Sequence, residues 1–198
     1  AEMSTAAGAG LLVSNHSYGL ITGWRFDDLG AGTGWYWRGD VTVNTFEDYF
    51  FGFYSLEAAA WDTIAYQKPY YLMVKSAGND RNEGPSAGTT HFVSVNGNWV
   101  SSNATRSRDG NGGYDSISHS SHSKNVLSVG AVNDIPGGYA GPGSVSMSSF
   151  SGWGPTDDGR IKPDIVGNGV DLYSASSTSN AAYTGLSGTS MSRPNVAG

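Results

Sequence analysis

Four short apolar runs punctuate the chain, and each breaks on glycine or small polar residues. The first, Leu11-Leu12-Val13, follows the small-residue stretch 6–10, the pattern of a helix tail feeding a buried strand that continues through Ser14, Asn15 and His16 toward Gly19. The second, Tyr70-Tyr71-Leu72-Met73-Val74, stops at Ser76-Ala77-Gly78-Asn79, a buried strand closed by a tight turn. The third spans 125–132, and the fourth, 162–166, resumes at Val170-Asp171-Leu172-Tyr173 after breaks at Gly167 and Gly169. Between the first two, Phe46, Tyr49, Phe50, Phe53, Leu56, Ala60 and Ile64 recur at steps of three and four, which predicts a helix over part of 43–66, weakened at Gly52 and closed by Pro69. Residues 24–40, thick with Gly and Trp, show no period and read as a surface loop or insertion. Residues 81–124 read as irregular, with a local strand at Phe92-Val93-Ser94-Val95. Buried apolar strands separated by helix predict an α/β domain on a parallel sheet. No repeat or linker divides the chain, so it is one domain.

Composition narrows the function. The 198 residues include 6 Trp, 11 Tyr and 7 Phe, too many aromatics for a disordered chain, and 29 Gly, the mark of a turn-rich one. A net charge of −6 without any basic stripe excludes nucleic acid as a partner. With no Cys, disulfide scaffolds, thiol nucleophiles and thiolate metal sites all drop out. No apolar run approaches the roughly 18 residues of a membrane span. A cysteine-free, acidic, Ser/Gly/Asn-rich chain is compatible with an extracellular setting.

The chemistry concentrates in Ser187-Gly188-Thr189-Ser190-Met191-Ser192-Arg193-Pro194-Asn195-Val196-Ala197-Gly198. A hydroxyl residue after glycine, with a proline read into the first helical turn, predicts a helix N-terminus at Ser190, where unpaired amides favour negative charge. Two nucleophile motifs fail here. Gly-x-Ser-x-Gly breaks because Ser192 stands where its second glycine belongs, and Ser-x-x-Lys breaks because Arg193 cannot accept a proton.

The same stretch closely resembles the nucleophile segment of the subtilisin-like serine proteases, Gly-Thr-Ser-Met-Ala-x-Pro-His-Val-Ala-Gly, departing only at Ser192 and Asn195. Further segments agree in the family's order. Val13 to Gly19 is similar to its substrate-edge strand, and Val74-Lys75-Ser76-Ala77-Gly78-Asn79-Asp80 resembles the segment carrying its oxyanion asparagine. Residues 125–132, 149–155 and 162–165 resemble its Val-Gly-Ala, Phe-Ser-x-x-Gly and Lys-Pro-Asp-Ile segments. The resemblance implies a three-layer αβα fold on a mostly parallel sheet. It also implies a serine endopeptidase acting through an acyl-enzyme, with Ser190 as nucleophile and Asn79 in the oxyanion hole. Ser17, Tyr18, Gly19, Ser76, Ala77, Gly78, Gly188 and Thr189 would line a roomy, mostly apolar pocket for a protein or peptide substrate.

The family's triad runs Asp, His, Ser along the chain, and neither the Asp-Thr/Ser-Gly nor the His-Gly-Thr segment precedes Ser190. The 198 residues are therefore read as an internal portion of one catalytic domain, truncated at both ends and inactive alone. The enzyme is expected to be extracellular and monomeric, to bind neither nucleic acid nor membrane, and to need no cofactor for its chemistry; no metal ligands are assigned.

Several residues take ordinary readings. His16, His91, His119 and His122 are polar or hydrogen-bonded histidines, the spacing of His119 and His122 lacking a helix to make it a metal clasp. Lys75 is read as an end-of-strand lysine reaching solvent. Asp109, Asn111 and Asp115 read as a solvated loop, with structural calcium as the alternative the resemblance allows. The rival function is a non-catalytic subtilase-like or carbohydrate-binding domain, its groove lined by Trp35 to Trp37.

Overall fold

The computed structural model describes residues 2–107, 113–117 and 119–198. Its elements in chain order are α1 (Glu2–Gly8), β1 (Val13–His16), β2 (Trp24–Asp27), β3 (Gly34–Trp37), α2 (Leu56–Gln67), β4 (Leu72–Ser76), β5 (His91–Val95), β6 (Asn98–Ser102), β7 (Leu127–Val132), β8 (Ile165–Asn168), β9 (Leu172–Ala175), β10 (Tyr183–Leu186) and α3 (Thr189–Ala197).

The centre is a parallel sheet in the order β1-β4-β7-β8. Its inner strands are near-continuous apolar runs because helices cover both faces, leaving no polar side to alternate with. Met73, Val74, Val129 and Ala131 are all fully buried. His16, the last residue of β1, and Ser17 just beyond it separate the faces. The His16 ring packs edge-on against Trp61 of α2, 4.8 Å between centroids, while the next residue, Ser17, bonds to α3. On the α2 side Trp61, Tyr71, Met73 and Val126 form the core, joined by Met3 and Ala7 of α1. This is the expected three-layer arrangement.

Ser55 caps α2, its hydroxyl accepting the Ala58 amide at 3.2 Å, and Pro69 follows the C-cap Lys68. The helix thus fills only the second half of the predicted window. Residues 43–55 are turns, and Gly52, at φ +68°, lies among them and not inside the helix. Tyr49, Phe50 and Phe53 mimic a helical stripe by clustering with one another, Tyr49 and Phe50 stacked at 4.4 Å.

Three other expectations change. β1 is an edge strand with Leu11, Leu12 and Val13 exposed, since no strand pairs with its outer side among the described residues. β8 runs through Gly167, and the chain breaks only afterwards, with β9 pairing β10 in a separate hairpin. Residues 24–40 are no loop but the β2–β3 hairpin of a second sheet, ordered β2-β3-β5-β6. Trp24 and Trp37 face each other in its register and pack at 5.0 Å, closing a small core with Val93. Four-residue strands with bulky rings on both faces carry no alternation to read.

Candidate active site

Three chain segments meet at the carboxyl end of the parallel sheet. The first continues β1 through Ser17, Tyr18 and Gly19. The second leaves β4, where Gly78 adopts φ +103°, a conformation that suits glycine, and swings Asn79 outward into the 3₁₀ turn Asp80–Asn82. The third is the start of α3, tied to the end of β8 by the Gly188 amide donating to the Gly169 carbonyl at 2.8 Å.

Proline shapes that start differently from expectation. Pro194 lies inside α3, five residues after Thr189, and not in its first turn. Its missing N–H leaves the carbonyl four residues back, that of Ser190, without its helical partner. The Ser17 hydroxyl donates to this carbonyl at 3.2 Å, so the proline joins β1 to α3 beside Ser190. Arg193, only 3% exposed, donates from Nη2 to the Ser17 hydroxyl, while its Nε and Nη1 find no partner among the described residues; burial draws its pKa down to about 10.

Asn79 and the helix start are bonded directly. Its Oδ1 accepts both the backbone N–H and the hydroxyl of Thr189, each at 2.9 Å. Asn79 Nδ2 and the Ser190 amide donate to nothing among the described residues. They border one small space, because a Cβ placed on Gly188 would stand 3.6 Å from Nδ2 and 3.7 Å from the Ser190 nitrogen. Lacking a Cβ, Gly188 leaves that space open.

A cavity of about 130 Å³ opens here, lined by Ser17, Tyr18, Gly19, Ser76, Gly78, Asn79, Thr189 and Ser190, together with Leu20, Ile21 and Asp80. Eight of the ten predicted site residues therefore meet around one depression. Ala77 does not, being fully buried with its amide donating to Val129 O in the sheet. Gly188 stands behind the cavity as the helix cap. The depression is small and mostly polar, not roomy and apolar, because serine, threonine and asparagine side chains occupy its walls. A second cavity, of about 580 Å³, adjoins it through Ile21, Asn79 and Asp80 and is lined on its far side by Phe26 and Trp35. Sequence reasoning missed Asp80, Glu83 and the hairpin residues. The only signal was the Trp cluster, of which Tyr36 and Trp37 are buried and Trp35 reaches the cavity.

Lys75 is 1% exposed and does not reach solvent. Its ammonium donates to the Tyr18 carbonyl and lies 4.7 and 5.5 Å from the Tyr18 and Trp61 ring centres, so the lysine supports the Tyr18–Gly19 wall from beneath. Burial, with Arg193 nearby, lowers its pKa to about 8 against the opposing pull of Glu57.

No histidine reaches Ser190 through a hydrogen bond among the described residues. His16 is held by Ser14 and Tyr18 and stays neutral, burial and the charges of Lys75 and Arg193 drawing its pKa to about 4. His91 bonds to the Thr89 carbonyl, His119 pairs with Glu57 at 2.8 Å, and His122 bonds to the Ile117 carbonyl. Of the loop weighed for calcium, Asp109 and Asn111 lie outside the described residues; no group of three or more His, Asp or Glu among the described residues is placed to hold a metal.

The sequence model of the subtilase family, Peptidase_S8, matches residues 1–198. The chain belongs to the subtilase family. Among curated relatives, a C5a peptidase of Streptococcus pyogenes serotype M18 is 58% identical over 52 residues, covering 26% of this chain and 4% of that protein. The serine protease AprX of Bacillus subtilis is 37% identical over 103 residues, covering 45% of this chain and 23% of that protein. The chain thus spans a small part of the length of these subtilase relatives. Among solved structures, the prenylagaramide maturation protease PagA superposes with a TM-score of 0.50 at 18% identity, covering 98% of this chain and 44% of that one, a likeness of fold.

Proposed function

We propose that this chain carries the nucleophile half of a serine endopeptidase site, with Ser190 attacking the scissile carbonyl and Asn79 helping to hold the oxyanion. The observation that carries the reading is the pair of unengaged donors, Asn79 Nδ2 and the Ser190 amide, on either side of the space that Gly188 leaves open. A carbonyl carbon within reach of the Ser190 hydroxyl would present its oxygen there. Two preorganised donors stabilise the charge that develops on that oxygen in the tetrahedral intermediate. The amide at the start of α3 adds the positive end of a helix dipole. Asn79 stays oriented because its other amide atom is tied to Thr189.

Serine is a weak nucleophile without a base. The described histidines are all engaged elsewhere, so the histidine and aspartate of the triad are proposed to come from residues outside these 198, and the chain alone is proposed to be inactive. The substrate is a protein or peptide whose backbone lies along the Ser17–Gly19 wall, facing Ser76 and Gly78, as an added strand. An extracellular, monomeric enzyme with no cofactor in the chemical step remains the proposed setting; no helix among the described residues is long and apolar enough to cross a membrane.

Reaction with a fluorophosphonate tests the assignment. A longer polypeptide that joins this sequence to subtilase Asp- and His-bearing segments is expected to be labelled at Ser190, and the 198-residue chain to stay unlabelled. Equal labelling of both would show that the base lies within the chain. No labelling of either would favour a binding protein that keeps the subtilase shape.

A further inference from the structure

We infer that the larger cavity beside Ser190 receives a basic side chain, lysine or arginine, from the substrate residue that precedes the cut bond. The inference rests on the peptidase reading above and deepens it by naming the substrate class.

The two cavities share Ile21, Asn79 and Asp80, so a side chain entering past Ser190 continues past Asp80 into the larger space. That space exists because the β2–β3 hairpin stands opposite the 3₁₀ turn. Its lining pairs aromatic faces with carboxylates. Phe26, largely exposed, meets Trp35 edge to face at 5.4 Å. Asp80 and Glu83, both half-buried, project from the turn, and neither carboxylate accepts a hydrogen bond among the described residues.

Among the described residues, the neighbouring cations do not satisfy these carboxylates. Arg25 lines the cavity and lowers the pKa of Glu83, but its Nε donates to Asp27 at 2.5 Å within its own strand. Arg81 turns away, donating to Ser151 O and Ser148 O at 2.8 and 2.7 Å with its guanidinium over Trp153. Behind the turn, Asp48 is buried and accepts the Gly23 and Phe50 amides, adding a further negative charge. Burial, then the charges of Glu83 and Asp48, push Asp80 up to about 7, and burial raises Glu83 as well.

A cation placed between Asp80 and Glu83 relieves that repulsion and lies against the rings of Phe26 and Trp35. An apolar side chain of the same length leaves both carboxylates unmet, and an acidic one adds to the repulsion. Because Asp80 ionises through about pH 7, the preference for a cation grows from pH 5.5 to pH 8.

The test is calorimetric binding of acetyl-Ala-Ala-Ala-X-amide peptides to the 198-residue chain, with X as lysine, norleucine or glutamate. At pH 8 the lysine peptide is expected to bind about tenfold tighter than the norleucine peptide, the scale of one charge-assisted contact. The advantage should shrink at pH 5.5 and in Asp80→Asn, in Glu83→Gln and in the double variant that combines them, while urea unfolding of each variant reports that it folds. Equal affinities at pH 8, or a lysine preference that survives the double variant, would overturn this inference and leave the peptidase reading intact. Failure of all three peptides to bind would overturn both.

Discussion

Asn79→Ala separates the two halves of the asparagine's work. The substitution removes the acceptor of two 2.9 Å bonds from Thr189, a residue with no exposed surface. Each neutral bond contributes about 1 kcal/mol net, and a buried donor left unmet costs about 1–3 kcal/mol. Asn79 itself stands exposed, so water replaces part of the loss. The expected destabilisation is about 2–3 kcal/mol. Asn79→Asp retains the acceptor and places a negative charge at the start of α3, worth about 0.3–1 kcal/mol, against repulsion from Asp80 beside it. Its stability should lie within about 1 kcal/mol of the parent. Urea unfolding of the three chains at pH 7, with Thr189→Ala closing a double-mutant cycle, measures the difference. Asn79→Ala as stable as the parent, or Asn79→Asp as weak as Asn79→Ala, would refute the claim that Oδ1 anchors the helix start. In a complete protease Asn79→Asp should nonetheless lose turnover, because Nδ2 is gone; the loss on removing this donor is about 100- to 1000-fold in subtilisin, itself a member of this family.

Gly188→Ala puts a methyl group into the space between Asn79 Nδ2 and the Ser190 amide, and should abolish fluorophosphonate labelling of a complete protease; normal labelling would place the oxyanion elsewhere. Lys75 has a folded pKa near 8, below its unfolded value, so the folded chain binds fewer protons and stability should rise as pH climbs from about 8 toward 10.4. Lys75→Met should abolish that rise, read as unfolding midpoint against pH; an unchanged profile would contradict the burial of the ammonium. Asp115 is raised to about 7 by burial and by Asp157 and Glu47, so its contribution falls as pH rises from about 3.9 through 7. Asp115→Asn keeps a residue that tolerates φ +58° and should raise the melting temperature at pH 8; a lower one would show that the carboxylate is stabilising.

Much of this was legible in the sequence for a physical reason. Buried parallel strands are written as apolar runs, so β4 and β7 could be found, and the segments around Ser190 and Asn79 arrived in order along the chain. What escaped was set by tertiary context. The edge position of β1 depends on what pairs with it, and nothing in Leu11-Leu12-Val13 announces that. Rings at 24, 26, 35 and 37 serve two faces of a short hairpin, which erases the alternation that marks a strand. Lys75 looked like a lysine escaping to water because the residues that enclose it, Tyr18 and Trp61, come from two other elements. Pro194 reads as a first-turn residue by habit of helices, yet here its missing amide frees a carbonyl that Ser17 reaches from across the fold. The size of the Ser190 depression and the cavity behind it likewise arise only when the hairpin meets the 3₁₀ turn.

Mass spectrometric mapping of a fluorophosphonate adduct decides whether Ser190 is the nucleophile. In a polypeptide that unites these residues with an Asp- and His-bearing subtilase segment, one adduct is expected, on Ser190, lost in Ser190→Ala. An adduct on any other serine, or one that persists in Ser190→Ala, would contradict that assignment.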